Sequence, residues 1–243
     1  MDFSFISQYY IAFLKGISVT LLLSFIAIVF GFIIGLIVCI GKISTIKLFK
    51  LLASIYIEII RGTPLVVQVM IIAFGLPTIG FKFPSILGLK SEFIAVSFAL
   101  TINSSAYISE IMRSGINSVD KGQMEACRSL GLSYFKALKF IVIPQAIKNI
   151  LPSLINEFVS LVKESAIVSF VGITDVMFIA TSVKNSNYLS LEPYIFVAGI
   201  YFIITFSLSK LVNLLQKKDV KLKRRFYGKT TNFIRITKCR KIF

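Results

Sequence analysis

The chain has 243 residues and a mean hydropathy of +0.85, with 56% hydrophobic and 16% charged residues, well below the roughly 25% charged residues of soluble domains. That deficit excludes an ordinary soluble fold, and the apolar runs recur from Gly16 to Leu215 with breaks too short for a separate soluble domain. The formal charge of +16 fits topology-setting and anionic-lipid contacts better than nucleic acid, while three scattered cysteines and no histidine suggest neither a disulfide framework nor a metal site.

Residues 1–15 read as an external N-terminal segment. Gly16 to Ile40 then runs 25 residues without a charge, more than the ~20 that cross a hydrocarbon core as a helix. It is too long for a signal-peptide core and lacks a small-residue cleavage site, so it reads as a retained span. Leu51–Gly75, Phe93–Met112, Ile150–Gly172 and Pro193–Leu215 are the next four spans. Cutting 141–183 into two would give a sixth.

Basic residues decide between five and six. With five spans and the N-terminus outside, the two inner segments and the tail from Lys210 hold 21 of the 27 Lys and Arg. A sixth span would put the basic tail outside, against the positive-inside tendency. The expected fold is therefore an all-α membrane protein of about five transmembrane helices, N-out and C-in. The tail, 216–243, reads as a cytoplasmic anchor on anionic lipid.

Charges inside the spans are candidate functional groups. At 1.5 Å per residue, Arg61 and Lys163 fall about 15 and 20 Å from the inner ends of the second and fourth spans, near the middle of a ~30 Å core. Charge at that depth is costly unless paired or facing water. Glu58 and Arg61 stand three apart and can pair, just before Gly62-Thr63-Pro64, where proline and glycine predict a kink. Glu157, Ser160 and Glu164 share one face of the fourth span, with Lys163 adjacent. Asn103, Ser104 and Ser105 lie at similar depth in the third. These groups either bond one another as interhelical glue or line a solute passage.

Between the third and fourth spans, Asp120-x-x-Gln123 opens a short helix that ends at Gly131, and Ser133 can cap a second helix to about Ile141. Within this loop, Glu125-Ala126-Cys127, then Gly131, then Ile141-Val142-Ile143-Pro144 resembles the EAA loop of permeases in ATP-binding-cassette importers. Cys127 replaces the family's second alanine and Ile143 its leucine. Arg61-Gly62-Thr63-Pro64-Leu65-Val66-Val67-Gln68, Ala106 to Ile116 and Leu161 to Ser169 look like the polar-amino-acid branch of that family.

The resemblance covers about residues 1–215, and what it implies is a type I importer permease domain over 16–215, with its coupling loop at about 118–144. It implies a pathway formed by two permease subunits, identical or different, driven by two cytoplasmic ATP-binding subunits and fed by an extracytoplasmic amino-acid-binding protein at the cell membrane. It assigns Gly122, Gln123, Glu125, Ala126 and Gly131 to ATPase coupling. Glu58, Arg61, Gln68, Asn103, Lys163 and Glu164 are the pathway candidates.

The chain itself reads as non-enzymatic and free of cofactors. A P-loop needs Gly-x4-Gly-Lys-Ser/Thr, whereas Gly75 and Gly80 are followed by Phe81-Lys82, and no histidine exists to activate a serine. The competing reading is a gradient-driven secondary transporter or channel for a small zwitterion. Such a carrier more often shows repeated halves, and no internal repeat is visible.

Overall fold

The computed structural model describes residues 3–86 and 88–211. The tail reading falls on 216–243 and lies outside them. Among the described residues the regular structure is helical: α1 (Phe5–Ile43), α2 (Lys47–Gly62), α3 (Leu65–Thr78), α4 (Ser91–Asn117), α5 (Lys121–Ser129), α6 (Tyr134–Val171), α7 (Val176–Asn187) and α8 (Glu192–Leu211). Three of these, α1, α4 and α8, are long and apolar enough to cross a membrane alone. The bent pairs α2–α3 and α6–α7 bring the total to five.

The first helix is apolar on every face, as a lipid-exposed span requires, and begins at Phe5 rather than near Gly16. Phe5 and Phe13 are buried against Val176, Ile179 and Ala180 of α7 and Val197 of α8, so aromatic packing carries the helix beyond its hydrocarbon length. Large residues such as Phe25, Phe30 and Ile37 point outward, whereas the buried face is mostly small, with Gly16, Thr20, Ser24, Ala27, Gly31 and Gly35 beside Leu23. Small residues let helix backbones approach closely in a membrane. A Cβ on Gly35 would sit 2.8 Å from the Ser105 carbonyl oxygen of α4.

At the centre, α4 is the most buried of the three unbroken spans. Two of its buried hydroxyls bond back along the helix, Ser97 Oγ to Phe93 O at 2.8 Å and Thr101 Oγ1 to Ser97 O at 2.7 Å, so these two enter the core with their donors satisfied. Tyr56 of α2 reaches across to Ser105 and the Ile102 carbonyl at 2.5 and 3.0 Å. That contact is the interhelical glue expected of the serines.

Two π-helical turns, Ile71–Gly75 and Leu138–Val142, each end two residues before a proline, Pro77 and Pro144. Proline offers no N–H and displaces the carbonyl four residues back, and a widened turn is one way a helix accommodates that local break. The second π turn fuses the expected short helix after Ser133 to the fourth span as the single element α6. At its far end Gly172, at φ +84°, stops α6. Buried Asp175 then restarts the chain by accepting the Phe178 N–H at 2.8 Å as the N-cap of α7.

Candidate functional site: a broken helix and two cavities

The helix break between α2 and α3 organises the site. The two segments meet at 103° because Pro64 cannot donate to the Ile60 carbonyl and Thr63 and Pro64 adopt extended backbone. Gln68 supplies the missing donor. Its Nε2 lies 2.7 Å from Ile60 O, 3.1 Å from Thr63 O and 2.8 Å from Thr63 Oγ1, while its Oε1 accepts from Asn103 Nδ2 at 3.0 Å. The side chain is buried and its amide fully engaged.

Around this break lie two cavities. One, about 400 Å³, is bounded by Arg61, Thr63, Pro64, Asn103, Tyr107 and Glu164. The other, about 540 Å³ and nearer the α4–α5 loop, is bounded by Arg61, Tyr107, Glu110, Arg113, Asn149 and Ser153 among others. The Arg61 guanidinium carbon stands 5.2 Å from the centre of the Tyr107 ring, within cation–π range. Arg113 grips Glu110 with Nε at 3.0 Å and Nη2 at 2.7 Å, a forked geometry stronger than a single hydrogen bond.

Arg61, Asn103 and Glu164 are thus brought together around one cavity. Gln68 stands behind the wall as the brace of the break. Glu58 and Lys163 are exposed on the protomer and line neither of these cavities. The pairing of Glu58 with Arg61 anticipated from their spacing is not formed, since Arg61 turns to Tyr107 and the ion pair among the described residues is Arg113–Glu110.

Sequence reasoning left Tyr107, Glu110 and Arg113 without a role. Tyr107, Glu110 and Ser114, at i, i+3 and i+7, do share a helix face, and that spacing was the available signal. On α6, Asn149, Ser153, Asn156, Lys163 and Glu164 form an exposed polar stripe. In a bilayer such a stripe needs water or a protein partner.

At the other end of α4, Asp120 Oδ1 accepts the Gly122 N–H at 2.8 Å and starts α5. Its finish is a Schellman turn: Gly131 N donates to Arg128 O and Leu132 N to Cys127 O, both at 3.0 Å, with Gly131 at φ +83°. Gly122, Gln123, Glu125, Ala126 and Gly131 are all exposed, while Met124 and Cys127 turn inward. Leu130 and Phe135, at 81% and 78% exposure, add large apolar groups to the same tip.

Residues 27–219 match the family model described as "Binding-protein-dependent transport system inner membrane component". The chain belongs to this family. It is a permease subunit of an ATP-binding-cassette importer and resides in the cell membrane. Over 206 residues it is 41% identical to the arginine transport system permease protein ArtQ of Bacillus subtilis, covering 84% of this chain and 91% of the relative. A putative glutamine transport system permease protein GlnP of Rickettsia conorii is 42% identical over 207 residues, 85% of this chain and 92% of that one. The crystal structure of an amino acid ABC transporter with histidines superposes at a TM-score of 0.83 with 46% identity, covering 90% of this chain and 99% of that one. An inward-facing MetNI methionine ABC transporter gives a TM-score of 0.64 at 18% identity, over 88% and 99% of the two chains, and supports the fold alone.

Proposed function

We propose that this permease moves a polar or charged amino acid inward. The observation that carries the reading is the roughly 400 Å³ cavity at the helix break, lined by the opposite charges of Arg61 and Glu164 together with Asn103. A zwitterion carries both charges, and a site offering one cation and one anion orients it through charge-assisted hydrogen bonds. The names of the arginine and glutamine permease relatives agree with this class.

The rest of the machine follows from the surface. The α6 polar stripe, with Lys163, and Glu58 on α2 would face a second permease subunit across a watered pathway, which removes the cost of leaving them in lipid. The tip of α5 would seat in a cytoplasmic ATP-binding subunit, with Gly122, Gln123, Glu125, Ala126 and Gly131 at the contact. ATP hydrolysis belongs to that partner, and an extracytoplasmic binding protein delivers the solute.

The test is copurification of the tagged chain from its native membrane, reconstitution into liposomes, and uptake of labelled amino acids with ATP inside or outside. ATP-dependent uptake of an amino acid, lost in Arg61→Ala and Glu164→Ala variants that still assemble, is the expected result. Flux by the chain alone without ATP would overturn the reading.

A further inference from the structure

Arg61 and Tyr107 are the two residues that line both cavities. Everything else differs between them: Asn103, Glu164 and Ile167 belong to the cavity at the helix break, and Glu110, Ser114 and Asn149 to the one nearer α5. The guanidinium lies over the ring at 5.2 Å, so the pair forms the wall shared by the two cavities of about 400 and 540 Å³. The geometry points to the Arg61–Tyr107 pair as an internal gate of the pathway, closed when the cation sits on the ring. This rests on the reading of the cavities as the solute route.

The pair is suited to the task. A cation–π contact is a single weak attraction, enough to hold a passage closed and little enough to be reopened in each cycle. Arg61 also has carboxylates to move to. Glu110 lies one turn from Tyr107 on the inner side and within electrostatic reach of Arg61, as does Glu157 of α6, and Glu164 shares the cavity at the break. A solute carboxylate arriving beside Asn103 would compete for the same guanidinium, lift it from the ring and so open the way its own charge must travel. Arg61 is placed for this by the break itself, standing two residues before Thr63 at the end of α2.

Thiol accessibility tests the gate. In inside-out membrane vesicles carrying the full transporter, with Cys39, Cys127 and Cys239 replaced by alanine, single cysteines are placed at Ser114 and at Ile167, one in each cavity. They are challenged with a charged, membrane-impermeant methanethiosulfonate. Ser114→Cys is expected to react and Ile167→Cys to be protected; Tyr107→Leu should raise the Ile167→Cys rate about tenfold or more, the equivalent of losing a contact of roughly 1.4 kcal/mol, and Tyr107→Phe should leave it protected. Arg61→Gln, which removes the cation but keeps the ring, should release Ile167→Cys equally and replaces Tyr107→Leu if that variant does not assemble. Rapid reaction of Ile167→Cys with the pair intact, or protection that survives loss of either partner, overturns the gate while leaving the pathway in place. Failure of both cysteines to react from either membrane face overturns the pathway reading and the gate with it.

Discussion

Gln68 donates its side-chain amide to the carbonyl of Ile60 at 2.7 Å, the carbonyl that Pro64, four residues on, cannot serve. The side chain therefore stands in for the missing backbone donor and fixes the 103° bend. Removing one partner of a buried hydrogen bond costs about 1–3 kcal/mol. Gln68→Leu is expected to lower the melting temperature of the purified complex and to reduce transport. Pro64→Ala in the same background should restore part of the stability, by returning an N–H to Ile60, without restoring transport, because the bend is relaxed. Thermal unfolding and uptake on the two single variants and the double variant check this, and full additivity of the stability changes would count against the brace.

The close packing of α4 against α1 and α6 makes a second prediction. Gly35→Ala would force a methyl group to 2.8 Å from the Ser105 carbonyl oxygen, and Gly115→Ala one directly into Ile150 Cγ1 of α6, whereas Gly75→Ala meets nothing closer than 3.8 Å. Overpacking of a well-packed core costs about 1–3 kcal/mol. The first two variants should melt well below the wild type and Gly75→Ala close to it. Fluorescence-detected size exclusion after a heat ramp provides the comparison.

Much of this architecture was legible because a membrane restricts the menu of folds. Charge-free runs of span length and the positive-inside bias predict five spans, and Gly62-Thr63-Pro64 predicts the broken one. What stayed hidden depended on tertiary partners. Gly31-x3-Gly35 was present in the sequence, but its mate, the Ser104–Ile108 stretch of α4, is about 70 residues away. The start of α1 at Phe5 depends on α7 and α8, which cover Phe5 and Phe13. In the site, Arg61, Asn103 and Glu164 converge as candidates of similar membrane depth. The partner of Arg61 was missed because spacing along α2 offered Glu58, while the Tyr107 ring comes from another helix.

For the cavity at the break, a charge test separates solute recognition from mere structure. The Glu164 side chain is exposed and makes no ion pair among the described residues, so Glu164→Gln should leave stability nearly unchanged. A charge-assisted contact of about 1.5–3 kcal/mol to a solute amino group corresponds to roughly ten- to a hundredfold in affinity. Uptake at subsaturating solute should fall by about that factor while the complex elutes and melts as before. Unaltered uptake would remove Glu164 from the pathway.

Gly131 gives the sharpest test of coupling. Its φ of +83° is the left-handed conformation that closes the Schellman turn of α5, and no neighbour lies within 4 Å of where a Cβ would be. Any cost of a side chain here is therefore one of backbone conformation within the protomer, about 1–2 kcal/mol for most residues and less for asparagine, which visits this region. In the assembled transporter the same position would face the ATP-binding subunit, where bulk counts as well. Gly131→Asn should retain part of the coupled transport, Gly131→Val should lose more through strain, and Gly131→Trp should insert and fold yet fail to couple. Membrane abundance, copurification of the ATP-binding subunit and solute-stimulated ATPase activity distinguish these outcomes. A Gly131→Trp transporter with normal uptake would mean that α5 meets its partner through another face, with Leu130 and Phe135 the next residues to examine.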